Sequence, residues 1–231
     1  MKKINFGCDQ KTCFLCRECL PDWQTAVADR KQNLKFKKGE VIFEEGSPVK
    51  GIYFLYKGKI KVHTQWGTDK QLILYFAKDG DMVGYRGLGD ERVYPVTATV
   101  LEDSIMCYVD MIFFETVLRG NHRLTYELMK FYANELHETE RRMRNLVHMD
   151  VKGRVAETML MLQTKFGTDA NGSITIKLAK QDIASYVGTT YETLYRVMQE
   201  FTNAGIVALD GKNICILNEA ELRSMATAVH T

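Results

Sequence analysis

The stretch whose reading decides the fold is Lys180-Gln181-Asp182-Ile183-Ala184-Ser185-Tyr186-Val187-Gly188-Thr189-Thr190-Tyr191-Glu192-Thr193-Leu194-Tyr195-Arg196-Val197-Met198-Gln199-Glu200-Phe201. Ile183 and Val187 share one side of a short first helix, and Gly188 breaks it where a tight turn is needed. Thr189 stands three residues before Glu192, the spacing of a capping box that opens a second helix. In that helix Leu194, Val197, Met198 and Phe201 fall at i, i+3, i+4 and i+7, a buried face. Glu192, Tyr195, Arg196 and Gln199 repeat the spacing on the opposite, polar face. Helix, glycine turn and helix with a polar outer face make a helix-turn-helix. Downstream, Ile206–Leu209 and Asn213–Leu217 flank Asp210-Gly211, a hairpin signal that would supply a wing.

The polar face suits double-stranded DNA. An arginine donates two parallel hydrogen bonds to O6 and N7 of guanine, and a glutamate accepts from N4 of cytosine. The candidate DNA-binding residues are Thr190, Glu192, Tyr195, Arg196 and Gln199. Glu192 and Arg196 also have the spacing of an ordinary exposed ion pair. Charge sets a condition on this reading. The 231 residues carry 31 Lys plus Arg against 29 Asp plus Glu, a net +2, which excludes a protein held on nucleic acid by bulk charge. Residues 150–231 hold eight basic against nine acidic residues, a net −1. Binding there needs two copies on the DNA, or local clustering of Lys152, Arg154, Lys177, Lys180, Arg196 and Lys212.

Working back toward the N-terminus, residues 121–148 read as one long helix. Leu124, Leu128, Phe131, Tyr132, Leu136, Met143, Leu146 and Val147 mostly follow steps of three and four, with a dense charged flank. Its length, against an average of about 11 residues for a globular helix, favours packing along a second copy of the chain through Leu128, Tyr132, Leu136, Met143 and Val147. Thr139 is then a polar interruption of the seam. The alternative is a helix lying on its own β domain. Residues 34–110 read as short strands: Lys59–His63 alternate, Ser104–Val109 less strictly, and Gly39, Gly46, Gly51, Gly58, Gly67 and Gly80 recur at strand-plus-turn spacing, the mark of a β roll or barrel. The expected organisation is α+β, with a cysteine-rich segment (1–22), a β-roll sensor domain (23–120), the long helix (121–148) and a winged helix-turn-helix (149–231).

Hydrophobic residues at 45% and charged residues at 26% exclude a disordered chain. No apolar stretch of roughly 7–15 residues follows Lys2-Lys3, and no run approaches the roughly 20 needed to span a bilayer, Leu72–Ala77 being among the longest. A cytoplasmic protein without membrane association is expected, with reduced thiols rather than a disulfide framework. Four of the six cysteines nevertheless crowd together as Cys8, Cys13, Cys16 and Cys19, spaced C-x4-C-x2-C-x2-C. Such a group is open to reading as a zinc site, a reversible thiol switch or thiols with no ligand. Cys215 reads as a buried strand residue of the wing. No nucleophile elbow, phosphate-binding glycine loop or zinc-hydrolase motif is present, so no enzymatic activity is expected.

The order of these parts resembles the CRP/FNR family of bacterial transcription regulators over nearly the whole chain. Leu34–Gly46 and Ile52–Val62 resemble the opening of that family's cyclic-nucleotide-binding β-roll. Asp182–Gly188 and Glu192–Arg196 resemble its DNA-binding signature. The resemblance implies a homodimer joined by the long helix, two recognition helices in successive major grooves, and RNA polymerase as a further partner. It maps the family's Glu and Arg readers onto Glu192 and Arg196, with Tyr195 where FNR-like members tend to have serine; a tyrosine can pack on a thymine methyl or meet phosphate.

Members that bind cyclic AMP hold its phosphate with Gly-Glu-x-Gly followed by Arg-Ser or Arg-Thr. Here Gly84-Tyr85-Arg86-Gly87 and Tyr94-Pro95 take those places, so tight cyclic AMP binding is not expected. Gly84, Tyr85, Arg86 and Tyr94 mark the corresponding effector pocket, with Arg86 and Arg92 read as solvated loop arginines. Gly80–Tyr85 and Leu101–Cys107 look closest to the FNR-like branch, whose members hold a four-iron four-sulfur cluster with three N-terminal cysteines and one internal cysteine. That implies Cys13, Cys16, Cys19 and Cys107 as ligands, with Cys8 spare. Two other functions stay open: a small-molecule-gated regulator with no metal, and an iron–sulfur electron carrier. Against the latter, ferredoxin runs end in C-x3-C-P, whereas Cys19-Leu20-Pro21 follows C-x2-C.

Overall fold

The computed structural model describes residues 2–3, 12–67 and 70–227, so Cys8 lies outside the described residues. The chain divides into two compact units, Met1–Glu135 and Leu136–Thr231. The first contains β1 (Lys2–Lys3), α1 (Phe14–Glu18), α2 (Pro21–Arg30), β2 (Gln32–Phe36), β3 (Val41–Phe43), β4 (Gly51–Lys57), β5 (Ile60–Trp66), β6 (Lys70–Ala77), β7 (Met82–Val83), a 3-10 turn at Tyr85–Leu88, β8 (Thr97–Val100), β9 (Ser104–Asp110), α3 (Met111–Gly120) and the first half of α4 (His122–His148). The strands form two antiparallel sheets, ordered β1-β2-β9-β4-β7 and β3-β8-β5-β6. This is the β-roll, and the whole is α+β.

Side chains alternate across a strand, so a sheet covered on one face reads as alternating apolar and polar residues. β4 does not alternate, because both its faces are covered. Tyr53 and Leu55 join Phe36, Ile60, Val62, Ala98 and Met106 in one core cluster, shared by the two sheets. Ile52 and Phe54 join a second cluster with Leu15, Val27, Phe114, Val117, Leu124 and Leu128, contributed by the helices. β9 splits the same way, Met106 to the first and Cys107 and Val109 to the second. Among the six glycines expected in turns, Gly51 is the exception. It begins β4, and a Cβ there would sit 2.2 Å from the Val109 carbonyl oxygen and 2.5 Å from the Tyr108 ring. Close approach of β9, rather than a positive φ, requires glycine at that point.

α4 presents two apolar faces. Leu124 and Leu128 are buried on the β-roll, and Phe131 and Tyr132 pack partly buried against the same cluster. The Tyr132 hydroxyl donates to the Tyr85 carbonyl oxygen at 2.5 Å. Leu128 and Tyr132 therefore do not belong to an exposed seam, because their own unit covers them. The other face leaves Tyr126, Met129, Leu136, Met143 and Val147 exposed, each more than half accessible. With exposed Ala133 and Glu140 between them, these follow an unbroken three-four alternation, the heptad of a two-stranded coiled coil. The polar position in that row is Glu140, not Thr139.

The second unit continues from α4 through α5 (Val151–Phe166), α6 (Lys180–Val187), α7 (Tyr191–Asn203), the hairpin β10 (Val207–Asp210) and β11 (Asn213–Ile216), and α8 (Glu219–Thr227). Asp210 pairs with Asn213 across Gly211-Lys212, and Ile174 N–H donates to the Ile214 carbonyl at 2.8 Å, tying the loop after α5 to the hairpin. Val155, Met159, Leu162, Ile183, Leu194, Phe201, Ile206 and Leu222 are buried within this unit. Cys215 is only half-buried, because its neighbour Ile214 takes the inward place on β11. Among the described residues no helix is long and apolar enough to cross a membrane.

Candidate nucleic-acid interface

α6 ends at Gly188, whose φ of +73° and ψ of 48° place it in the left-handed region that closes a helix. A Cβ on Gly188 would come within 2.8 Å of Leu146 Cδ2 of α4. The turn is held by two arginines reaching from neighbouring helices. Arg142 of α4 donates to the Tyr186 carbonyl oxygen at 2.6 Å and lies 4.1 Å from the centroid of the Tyr186 ring. Arg154 of α5 donates to the carbonyls of Met149 at 2.6 Å, Val187 at 3.0 Å and Gly188 at 3.4 Å. The last carbonyls of α6 lack intrahelical partners, and these guanidiniums supply donors. Burial pulls the Arg142 guanidinium below its usual range, opposed by Tyr186 and Glu157. Beside it the buried Asn145 donates to both carboxylate oxygens of Glu157 at 2.9 Å.

α7 starts one residue later than the capping-box reading places it. Thr190 is the N-cap, and its hydroxyl oxygen accepts from Thr193 N–H at 3.2 Å; Glu192 stays in the first turn as an acidic residue. Two adjacent threonines made the register ambiguous; Thr190, with extended backbone, directly precedes the helix and its hydroxyl meets the first turn. Leu194, Val197, Met198 and Phe201 are all buried, which turns Glu192, Tyr195 and Arg196 to solvent, with Gln199 half-buried beside them. Among the described residues no ion pair joins Glu192 to Arg196, and both are exposed.

The basic residues are spent unevenly. Lys152 pairs with Glu200 at 3.4 Å and Lys177 with Asp169 at 3.6 Å, while Arg154 is committed to the turn. Lys180 lies 5.3 Å above the Tyr195 ring, beside the polar face of α7. Lys180 and Arg196 are therefore cations of the expected cluster that lie at that face, while Lys152, Arg154 and Lys177 are engaged elsewhere.

In the first unit, Cys13 is the N-cap of α1, Cys16 lies within it and Cys19 is its C-cap. Cys13, Cys19 and Cys107 are buried in one apolar cluster and Cys16 packs against it. Asn121 Nδ2 donates to Cys19 Sγ at 3.1 Å, and Cys107 Sγ donates to Asn33 Oδ1 at 3.3 Å. Burial pushes the Cys19 thiol up, partly offset by Asn121. A small recess is lined by Cys16, Cys19, Gln24, Val27, Ala28 and Lys31. Among the described residues no three His, Cys, Asp or Glu side chains gather at ligating distance. Thiols are the donor type an iron–sulfur cluster takes, and these four share one apolar cluster.

The four residues expected to line an effector pocket divide. Tyr94 is buried in the core cluster shared by the two sheets, stacked 4.0 Å from Phe43, its hydroxyl donating to the Gly51 carbonyl at 2.6 Å. Gly84, at φ +89°, packs against that ring and caps the 3-10 turn. Tyr85 and Arg86 point to α4 instead. Tyr85 donates a short hydrogen bond to Glu135, and burial together with Glu135 pushes its phenol up. Arg86 is not a solvated loop arginine: it lies between the Tyr75 and Tyr85 rings, at 5.8 and 5.7 Å, and 3.6 Å from Glu135. Sequence reading missed this slot because Tyr75, Phe131, Tyr132 and Glu135 come from distant segments. Arg92 is exposed and pairs with Glu115.

Comparison with known proteins brings the parts together. Residues 33–121 match the model of the cyclic nucleotide-binding domain, and residues 153–225 match that of the Crp-like helix-turn-helix domain. The chain is 26% identical over 208 residues to a CRP-like cAMP-activated global transcriptional regulator of Mycobacterium tuberculosis, covering 89% of this chain and 93% of that protein. It is 26% identical over 224 residues to the transcriptional activator protein Anr of Pseudomonas aeruginosa, covering 94% and 91%. Among solved structures, FixK2 from Bradyrhizobium japonicum superposes with a TM-score of 0.77 at 22% identity, covering 87% of this chain and 99% of that one.

The turn geometry carries a test. Gly188→Ala places a Cβ in the left-handed region and against Leu146, and should destabilise the second unit by about 1–2 kcal/mol. Urea unfolding followed by far-ultraviolet circular dichroism measures it; an unchanged midpoint would contradict the strain assigned to this turn.

Proposed function

The chain belongs to the CRP/FNR family of transcription regulators, and from that premise we propose that it binds specific DNA sites in the cytoplasm as a homodimer, under control of a signal received by its N-terminal half. The observation that carries the proposal is the outward face of α7, where Glu192 and Arg196 stand unpaired beside Tyr195 on a helix whose opposite face is fully buried. In a major groove Arg196 would donate to guanine and Glu192 would accept from cytosine. Thr190 and Gln199 flank them. RNA polymerase is the partner expected to respond to the bound dimer.

The dimer reading is supported by the exposed heptad row Tyr126, Met129, Ala133, Leu136, Glu140, Met143 and Val147. A second copy covers such a row with the same row, and burying one large apolar side chain stabilises by about 1.5–3 kcal/mol. Pairing also answers the charge difficulty, since two copies present two Arg196 and two Lys180 to one duplex.

For the signal, the cysteine group supports a redox sensor in which Cys13, Cys16, Cys19 and Cys107 hold an iron–sulfur cluster. Such a cluster supplies a bond network sensitive to oxidation. The chain's own part is to tie α1 to β9 through those thiols, with Asn33 and Asn121 orienting Cys107 and Cys19 and the apolar cluster excluding water. One observation favours a second reading, gating by a small molecule with no metal. Arg86 Nε is buried with no hydrogen-bond acceptor, beside the α4 face that carries Tyr132 and Glu135.

Arg196→Ala should weaken binding to the cognate site by about 1–3 kcal/mol in a gel-shift titration and relax the preference at the base it reads; unchanged specific affinity would remove α7 from the role of recognition helix. Metal and acid-labile sulfide analysis after anaerobic purification separates the two sensing readings. A brown protein with about four iron and four sulfide per chain is expected, whereas an iron-free, colourless protein would favour the small molecule, zinc or a thiol switch.

A further inference from the structure

We propose that Tyr191 is a specificity-determining residue: stacked on Tyr195, it forms an aromatic pair that reads thymine 5-methyl groups beside the bases met by Glu192 and Arg196. The inference rests on α7 being the recognition helix and adds to that reading a residue and the base it selects.

Two large aromatic side chains stand exposed on one helix, Tyr191 at 41% and Tyr195 at 45%. Their rings lie 6.3 Å apart between centroids and only 19° from parallel. Among the described residues neither hydroxyl has a hydrogen-bond partner. The Lys180 ammonium lies 5.3 Å from the Tyr195 ring.

Position along and around the helix decides what the pair can meet. Tyr191 is the first residue after the Thr190 cap, at the end of a recognition helix that approaches base edges. At about 100° per residue, Tyr191 and Tyr195 form one stripe and Glu192 and Arg196 a second stripe about 100° further round, with Gln199 between them. The tyrosine stripe borders the buried face of Leu194, Val197, Met198 and Phe201 on its Met198 side, whereas Glu192 and Arg196 lie away from that face. A groove that receives Glu192 and Arg196 therefore has the tyrosine stripe against one of its walls. Of the groups displayed in the major groove, the C5 methyl of thymine is the apolar one. Two near-parallel rings offer it a broad apolar contact, and Lys180 supplies the cation for the adjoining phosphate.

The test uses the full-length protein, holding whatever cofactor it carries, and sites selected from random duplex DNA. Wild type, Tyr191→Ala, Tyr191→Phe and Arg196→Ala are compared, each checked for folding by urea unfolding. Wild type is expected to select thymine next to the positions whose preference Arg196→Ala relaxes. Replacing that thymine with uracil removes only the methyl group, and should weaken wild type and Tyr191→Phe by about fourfold per methyl, while leaving Tyr191→Ala unaffected. Tyr191→Ala should keep the preference that depends on Arg196. The proposal is overturned if wild type selects no thymine there, or if uracil weakens wild type and Tyr191→Ala equally. It is also overturned if Tyr191→Ala weakens all sequences alike with a reduced salt dependence, the sign of a phosphate contact. If wild type selects no sequence at all, the recognition-helix reading itself fails, and with it this one.

Discussion

α4 has to satisfy two apolar faces at once, and the other elements of the chain depend on how it does so. Its first half lays Leu124, Leu128, Phe131 and Tyr132 on the β-roll, where they meet β4 and β9 from the outer side of the five-stranded sheet. That contact is why β4 is apolar at every position from Ile52 to Leu55. Its second face is left uncovered by the described residues, and a row of exposed Tyr, Met, Leu and Val at heptad spacing is costly to leave in water. Pairing with a second copy is the arrangement we propose for that row, with Glu140 as the polar position that fixes its register.

The same helix reaches the reading head. Arg142, Asn145 and Leu146 lie on successive turns of α4 and meet the end of α6, the start of α5 and the Gly188 turn. The end of α6, which leads into α7, is therefore tied to the last turns of α4 by a part-buried, charge-assisted hydrogen bond, which is stronger and more directional than apolar contact. Removing a guanidinium here leaves part-buried carbonyls without those donors. Near the middle of α4, Tyr132 and Glu135 engage Tyr85 and Arg86 of the 3-10 turn, with burial pushing the Tyr132 phenol up to about 12 and keeping it a donor at neutral pH. One helix thus meets the 3-10 turn near its middle and the end of α6 near its C-terminus.

The fold was legible wherever a single periodicity governed a segment. Leu194, Val197, Met198 and Phe201 announce the inner face of α7, and the Asp210-Gly211 hairpin follows from its turn residues alone. Legibility failed where one segment serves two environments. On α4 the apolar residues wrap more than one face, so spacing did not separate Leu128 and Tyr132, which cover the β-roll, from Leu136, Met143 and Val147, which do not. The cap of α7 was misread by one residue because Thr189 and Thr190 are equivalent in sequence, and only the fold shows that the Thr190 hydroxyl meets Thr193 N–H. Arg86 looked like a loop residue because the rings that enclose it come from β6 and its own turn, with Glu135 supplied by α4. For the cysteines, spacing located the group but not its chemistry, since burial and the asparagine contacts come from the tertiary fold.

The most direct test is sedimentation velocity of wild type, Leu136→Glu and Met143→Glu, with specific DNA binding measured on the same preparations. Each substitution places a charge on the exposed row and touches no buried side chain of its own unit, so folding should persist by circular dichroism. Wild type should sediment as a dimer, and both variants as monomers that have lost specific binding. A monomeric wild type that binds its site with full affinity, or variants that remain dimeric and bind as wild type does, would contradict the role assigned to α4.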